Sequence, residues 1–188
     1  MNTLMTALEQ YVPFNEAEAH EKRVFLSFLC QNPNALLREN EIGHVTTSAW
    51  VVNRERTKVL MIYHNIYDSW AWMGGHADGE DNLMQVARRE VAEESGLEHI
   101  RPLWDGIYGI NILPVASHMK RGSYVSAHLH FDVEYLFEAD ESEPIRVKPD
   151  ENSGVMWVPM DEIDTQVREM MMKPVYHLLN EKLNQITK

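Results

Sequence analysis

The stretch "GGHADGEDNLMQVARREVAEESGL", residues 74–97, joins a glycine-containing loop to a helical pattern that carries a cluster of carboxylates. Residues three and four positions apart are neighbours on a helix, so Glu90 and Glu94 share a stripe, with Glu93 beside it. Like charges at this spacing repel, and the helix dipole disfavours anions near the C-terminal end. Hard dications, which carboxylates bind, would offset both costs. The pattern predicts a metal-binding edge, and a solvated acidic face is the simpler alternative.

The order of residues around these glutamates resembles the Nudix box, G-x5-E-x7-R-E-U-x-E-E-x-G-U, where U is aliphatic. The resemblance covers 23 residues, from Gly75 to Leu97, and departs from the pattern at one position, where Asp81 replaces glutamate. Asp81 is one methylene shorter than the expected residue, and Glu80 beside it is a candidate substitute. A motif with this many fixed positions is more specific than a lone glycine pattern.

The resemblance implies a metal-dependent hydrolase that cleaves the pyrophosphate bond of a nucleoside diphosphate linked to another group. It implies that Glu90, Glu93 and Glu94 bind Mg²⁺ or Mn²⁺ and that Arg89 orients the carboxylates. Such an ion would reverse the local charge for a polyanionic substrate, polarise a phosphoryl oxygen and activate a water. The expected partner is therefore a small-molecule diphosphate.

A general base is also required, and three glutamates are candidates. Glu90 lies within the box, and Glu134 lies on the polar face of a long strand. Glu151 lies on the loop before Trp157, a place where relatives can supply an additional acidic ligand or base. A solvated loop charge is the alternative for Glu151.

The substrate-binding candidates lie at the start of the box. Gly74 and Gly75 would let the backbone approach the phosphates closely, and His76 would face them. Trp70 and Trp72 could stack a base, although aromatic core positions near a strand end are the more usual explanation. On the long strand, His128, His130 and Asp132 could contact substrate, but an exposed strand face is the simpler interpretation.

Strand patterns flank this helix on both sides. The segments "TTSAWVVN" (46–53) and "KVLMIYHN" (58–65), separated by a charged turn, predict a hairpin, and "YVSAHLHFDVEYLFEA" (124–139) alternates as a long strand. A closing helix is predicted over 173–188. We therefore expect an α/β fold: a Nudix-type α/β/α sandwich with a mixed sheet.

Residues 1–40 predict a helical N-terminal extension, and residues 41–188 the hydrolase domain. Helical spacing over 2–12 is interrupted by Pro13, and Asn15 begins a second helix that runs to about Gln31. Packing on the main domain and a role as a dimer arm are both compatible with this pattern.

The formal net charge of −12 makes binding to a nucleic acid polymer a poor hypothesis, because phosphate neutralisation needs clustered cations. The one cysteine, Cys30, lies in an apolar helical pattern and predicts a buried thiol in a reducing compartment. The sequence shows neither a leader pattern nor a bilayer-length apolar run, so we expect a cytoplasmic protein without membrane contact. A homodimer is the expectation from the frequency of two-fold assemblies.

Two other functions fit parts of the pattern. One is a Nudix-like sensor that binds a nucleotide sugar without cleaving it, although such modules often lose the box glutamates that are kept here. The other is an isomerase acting on isopentenyl diphosphate, which would place a reactive cysteine in the glycine loop. The attached group of the substrate is not encoded in the box. Loops 114–125, with Lys120 and Arg121 as phosphate contacts or turn charges, and 139–153 are expected to complete its pocket.

Overall fold

The structure is a computed structural model that describes residues 2–120 and 122–186. The side chain of Lys120 and the whole of Arg121 lie outside the described part, and with them the predicted phosphate contact. None of the described helices is long and apolar enough to span a bilayer.

In the described chain, α3 separates a run of four strands from a run of six, and further helices precede the first run and follow the second. The helices are α1 (Asn2–Gln10), α2 (Glu16–Gln31), α3 (Leu83–Ser95), α4 (Ile163–Gln166) and α5 (Lys173–Ile186), with a 3₁₀ turn at Met160–Glu162. The strands are β1 (Gly43–Asn53), β2 (Lys58–His64), β3 (Ser69–Ala71), β4 (Met73–His76), β5 (Arg101–Pro102), β6 (Gly109–Val115), β7 (His118–Lys120), β8 (Ser123–Val125), β9 (His128–Ala139) and β10 (Asn152–Pro159).

Strand β1 is the centre of the sheet. It pairs in parallel with β9 and antiparallel with β2 and β4, and the spatial order is β10-β2-β1-β9-β5. All eleven residues of β1 are buried, as expected for a strand that is covered on both faces. The predicted mixed sheet and the β1–β2 hairpin are therefore confirmed.

Two hydrophobic cores lie on opposite faces of the sheet. One contains Phe25 and Leu29 of α2 together with Leu83 and Val91 of α3. The other contains Trp50 of β1 and residues of α5, among them Tyr176 and Leu179. Helices thus cover both faces of the sheet, which confirms the α/β/α arrangement.

The N-terminal helices form at the predicted positions and pack on the sheet. The side chain of Asn15 caps α2 by accepting a hydrogen bond from the Glu18 N–H at 2.9 Å. Phe28 stacks on Phe131 of β9 at a ring-centroid distance of 3.8 Å. Cys30 is exposed, so the predicted buried thiol is wrong, because the last turn of α2 places this residue on the outer face. The division at residue 40 stays a prediction.

A buried ion pair joins the two ends of the chain. Lys182 of α5 and Glu18 of α2 are 5% and 2% exposed, and the Lys182 ammonium donates a hydrogen bond to the Glu18 carboxylate. The same ammonium donates to the carbonyl oxygen of Tyr108 at 3.0 Å and to the Tyr11 hydroxyl at 3.1 Å. The charges are paired and further hydrogen-bonded, as burial requires.

Candidate active site

The two glycines of β4 lie against both the sheet and α3. Gly74 and Gly75 pair with Ser48 and Thr47 of β1. A Cβ at Gly75 would lie 2.5 Å from Cδ of Glu90, and one at Gly74 would lie 2.4 Å from the Thr47 carbonyl oxygen. Glycine is required here because the helix carboxylate and the neighbouring strand already fill the space. The contact of Gly74 and Gly75 with substrate phosphates stays a prediction.

Helix α3 has a capping residue at each end. The Asn82 side chain accepts from the Gln85 N–H at 3.4 Å, and Gly96 ends the helix in the left-handed region at φ 78°. Asp81 precedes this cap. The ends of a helix of this length are roughly 18 Å apart, so the Asp-for-Glu departure lies far from the carboxylates at the other end.

Glu94 is the most buried carboxylate of α3, at 4% exposure. It accepts a hydrogen bond from the Gly74 N–H at 3.1 Å. Burial raises the pKa of Glu94 to about 8, the Gly74 hydrogen bond opposes this rise, and the carboxylate of Glu90 adds to it. A carboxyl group with this pKa is mostly protonated at neutral pH unless a cation compensates its charge.

Glu90 and Glu93 continue the cluster toward solvent. Glu90 is half-buried, and burial together with the charge of Glu93 raises its pKa. Glu93 is exposed, and its carboxylate contacts the Lys148 ammonium at 3.0 Å. The Arg89 Nε lies 3.9 Å from Glu93, beyond hydrogen-bond distance, and its side chain is half exposed. Lys148 is therefore the cation nearer to Glu93.

The loop before β10 brings a fourth carboxylate to the helix. Lys148 contacts Glu151 at 2.9 Å as well as Glu93, so the two carboxylates share one ammonium. Partial burial acts to lower the pKa of Lys148, but hydrogen bonds to Glu151 and Glu93 outweigh it and raise that pKa. Asn152, fully buried, donates to the Glu94 carbonyl oxygen at 2.9 Å. The structure thus links Glu151 to Glu93 of the box through Lys148, and its role as base or ligand stays a prediction.

Asp132 on β9 is buried beside β1. It is 2% exposed and accepts a hydrogen bond from the Thr46 hydroxyl. Burial raises the pKa of Asp132, against hydrogen bonds from Thr46 and Ser48 that lower it. The simpler interpretation of this strand face as exposed is therefore wrong for Asp132, because β9 is flanked within the sheet by β1 and β6 and Asp132 lines the same cavity as Tyr176 of α5.

The glycines, α3 and Glu151 all lie within one segment that is similar to a known protein family. A family model described as the NUDIX domain matches residues 43–179, which include the glycines, all of α3 and Glu151. The chain belongs to the NUDIX family.

Solved structures share the fold of this NUDIX protein at low sequence identity. A NUDIX hydrolase from M. smegmatis, RenU, matches with a TM-score of 0.54 and 16% identity over 77% of this chain and 88% of that one. The E. coli dihydroneopterin triphosphate pyrophosphohydrolase matches with a TM-score of 0.53 and 14% identity over 71% and 92%. A C. elegans Ap4A hydrolase matches with a TM-score of 0.52 and 13% identity over 76% and 96%. No curated protein sequence matches the chain.

A cavity of about 300 Å³ opens beside the carboxylates of this NUDIX domain. Polar lining comes from Glu94, Asp132 and His130, and aromatic lining from Trp72 and Tyr176. Residues Leu113–Ala116, at the end of β6, form another part of the wall, whereas the lining of this cavity contains no described residue of 117–125 or 139–153. The lining of the cavity therefore combines acidic and aromatic side chains.

The two tryptophans before the glycines differ in position. Trp72 lines the cavity and packs edge-on against Tyr176, with ring centroids 5.3 Å apart. Trp70 packs edge-on against Tyr63 at 5.3 Å and lies outside the lining of this cavity. The structure thus gives Trp72 the position in which a base could be contacted.

Glu134, the third candidate base, lies elsewhere. It is completely buried, and its carboxylate accepts a hydrogen bond from Asn111 of β6. Burial and the adjacent charge of Asp132 raise its pKa, while Asn111 and Lys182 oppose this rise. Glu134 lies opposite Gly109 of β6 within the sheet and is not part of the lining of the cavity.

Sequence reasoning missed three residues of this region. Lys148 and Asn152 bind the carboxylate helix from a loop more than 50 positions away in the chain. His44 lies on β1 next to His76 and His130, with ring centroids 5.0 and 5.1 Å away. A helix-centred motif carries no signal for these contacts, although the HxH spacing of His128 and His130 does mark one face of a strand.

Proposed function

We propose that this NUDIX protein hydrolyses the pyrophosphate bond of a nucleoside diphosphate linked to another group, with Mg²⁺ or Mn²⁺ as cofactor. The observation that carries the proposal is the burial of Glu94 beside Glu90, directly behind the Gly74–Gly75 strand. Family membership supports it, because NUDIX hydrolases act on pyrophosphates.

The carboxylates of α3 fit a hard dication. Glu90, Glu93 and Glu94 offer oxygen ligands, which Mg²⁺ prefers. Burial raises the pKa of Glu90 and of Glu94, and a bound dication would supply positive charge that opposes this rise. When bound there, such an ion supplies Lewis-acid polarisation of a phosphoryl oxygen and lowers the pKa of a water. Lys148 holds Glu93 on the solvent side of this group.

The protein's own residues contribute binding and proton transfer. Glu151 is the proposed general base, because its loop brings a partly exposed carboxylate to the open side of the cluster. In that role a Glu151 oxygen accepts the proton of the attacking water, and the ion pair with Lys148 positions the carboxylate. Arg89 is proposed to act through the charge of Glu93, and Gly74, Gly75 and His76 to border the phosphates.

The aromatic wall of the cavity is proposed to contact the nucleoside. Trp72 and Tyr176 present apolar surface to the space of about 300 Å³ that Glu94 also lines. Stacking on an aromatic ring is tolerant of base identity, so this wall favours a base without selecting one. The dihydroneopterin triphosphate and Ap4A enzymes with the same fold make a pteridine triphosphate and a dinucleotide useful members of a substrate panel.

The test is a panel of diphosphate compounds, covering nucleotide sugars, ADP-ribose, dinucleotides and oxidised nucleotides, incubated with purified protein and Mn²⁺. We expect release of monophosphate products by the unmodified protein and at least a hundredfold slower release by Glu94→Gln. Glu98→Gln is the matched control, because Glu98 is an exposed glutamate just beyond α3.

Two results would contradict the proposal. Absence of turnover with every compound, together with nucleotide binding, would favour the sensor. Full activity of Glu94→Gln would remove Glu94 from the ligand set. The isomerase has no support from the described residues, since Cys30 lies on the outer face of α2 and not in the glycine loop.

Homodimer formation and a cytoplasmic location stay predictions from the sequence. The first is tested by light scattering of the purified protein at several concentrations.

A further inference from the structure

Histidines from three strands meet at one end of the sheet. His44 near the start of β1 pairs with His130 near the start of β9, and His76 ends the neighbouring strand β4. Their rings lie 5.0 to 5.1 Å apart between centroids, and His128 lies 4.8 Å from His44. Each histidine has one ring nitrogen that lies within 4.8 Å of those of the other two.

We propose that His44, His76 and His130 form a binding site for a transition-metal dication of the zinc class, separate from the carboxylate site of α3. Imidazole nitrogens suit Zn²⁺, Co²⁺, Ni²⁺ and Cu²⁺, whereas Mg²⁺ prefers oxygen ligands. Three protein ligands with an open fourth position are the pattern of an accessible zinc site. The ligand chemistry therefore separates this site from that of Glu90, Glu93 and Glu94.

The buried ring of His44 supplies an independent observation. His44 is 5% exposed, and its Nδ1 lies 3.2 Å from the carbonyl oxygen of Asn40. An oxygen can only accept there, so Nδ1 carries the proton and Nε2 carries a lone pair. Within the described residues, nothing hydrogen-bonds this buried Nε2 atom. A carbonyl on one nitrogen and a metal on the other is the common arrangement of metal-bound histidine.

The lone pair on Nε2 of His44 determines whether the site suits a cation or an anion. An anion needs N–H donors, but the His44 nitrogen that is left over is an acceptor. Ring stacking alone would explain the clustering, yet it would leave a buried polar atom without a partner, which native structures generally avoid.

The spacing needs only small side-chain adjustments. With metal–nitrogen distances of about 2.0–2.1 Å, two ligands of a tetrahedral ion lie about 3.3 Å apart. The ring nitrogens of His44, His76 and His130 lie within 4.8 Å of one another, so each pair has to close by at most about 1.5 Å. His128 lies beside the group, and its Nε2 is hydrogen-bonded to Nε2 of His130 at 3.1 Å. A cavity of about 400 Å³, lined by all four histidines, gives an ion access.

The site would border the catalytic cavity. His76 directly follows Gly75, and His130 lines both the cavity beside Glu94 and the one at the histidines. Binding of the ion does not require the hydrolysis proposed above, so the two proposals can fail separately.

The test is a zinc titration of the full chain after removal of metals with a chelator, with a chromogenic zinc ligand as competitor. We expect one Zn²⁺ per chain at submicromolar concentration, and Co²⁺ to give the visible absorption of four-coordinate cobalt. His44→Gln and His130→Gln should each weaken binding at least about a hundredfold, the upper range seen when even supporting groups of metal sites are lost.

Two variants serve as controls. His99→Gln changes a histidine whose side chain is 81% exposed and should leave zinc affinity unchanged. Glu94→Gln should also keep it, because its carboxylate belongs to the other site. Circular dichroism establishes whether each variant is folded. If His44→Gln does not fold, the zinc affinity of His130→Gln is the test of the proposal.

The proposal is overturned if the unmodified chain binds zinc no more tightly than the His44 and His130 variants. It is equally overturned if Glu94→Gln abolishes zinc and cobalt binding, which would assign the metal to the carboxylates. Hydrolysis of the diphosphate panel by the same preparation with Mn²⁺ is measured in parallel, so that the two outcomes stay distinct.

Discussion

Replacing Glu94 with glutamine should stabilise the metal-free protein progressively as the pH rises, although it removes a proposed metal ligand. Burial raises the pKa of Glu94 to about 8, from an ordinary value of 4.5. The folded protein therefore keeps this proton up to about pH 8, whereas the unfolded chain loses it near pH 4.5. Between these values the unfolded state binds fewer protons, so stability falls with rising pH.

The magnitude follows from the two pKa values. At about 1.36 kcal/mol per pKa unit, the buried carboxyl costs about 1 kcal/mol of stability at pH 5 and about 4 kcal/mol at pH 8. Glutamine does not titrate, and its side-chain oxygen can still accept the Gly74 N–H. The stability of Glu94→Gln relative to the unmodified protein should thus increase by about 3 kcal/mol from pH 5 to pH 8. For a chain of this size that is roughly 6–12 °C in Tm.

The assay is thermal or urea unfolding in the presence of a chelator at pH 5, 6, 7 and 8. Glu93→Gln is the matched control, since Glu93 lies on the same helix but is exposed, and its contact with Lys148 should be worth at most about 1 kcal/mol at any pH. Adding Mg²⁺ at pH 8 should stabilise the unmodified protein and leave Glu94→Gln unchanged. A stability difference that stays constant or shrinks toward pH 8 would show that Glu94 ionises normally, and the electrostatic argument for a metal would then fail.

Three further changes test other parts of the structure. Glu151→Gln should slow turnover at least about tenfold without changing Tm, and a smaller effect would exclude Glu151 as general base. Gly75→Ala should lower kcat at least tenfold, because the added Cβ would lie 2.5 Å from Cδ of Glu90, and a crystal structure with Glu90 in place alongside full activity would refute this. Leu8→Ala should reduce the free energy of unfolding by about 2–5 kcal/mol, because this side chain of α1 is fully buried in the main core. Val12→Ala, at an 82% exposed position, should change it by less than about 0.5 kcal/mol, and equal effects would show that α1 does not share that core.

Local patterns were sufficient to predict the fold. The β1–β2 hairpin, the long strand β9 and helix α3 follow from alternation and spacing within about 15 residues each. The N-cap at Asn15 was likewise readable, because capping depends on residues three positions apart. Cys30 was placed incorrectly because an apolar run does not show which side chain of a helix end faces outward.

The environment of the site could not be predicted in the same way. Glu94 is contacted by the Gly74 N–H and by the Asn152 side chain. Gly74 precedes the helix, and Asn152 begins β10, 58 positions after Glu94. The alternation favours an exposed strand face for Asp132, but its burial depends on the pairing of β9 with β1 and β6 and on the position of α5, which alternation does not show. The meeting of His44 with His130 requires the parallel pairing of β1 and β9. Such contacts depend on the order in which the strands pair, which local sequence patterns do not show.

The pairing of Lys182 with Glu18 has a consequence for synthesis of the chain. These residues are separated by 164 positions, so the acid leaves the ribosome long before the ammonium that neutralises it. Removing one member of a buried ion pair typically costs about 3–5 kcal/mol, so burying Glu18 before α5 is made would carry a cost of that order. We therefore expect the packing around Glu18 to be completed only after Lys182 has been synthesised.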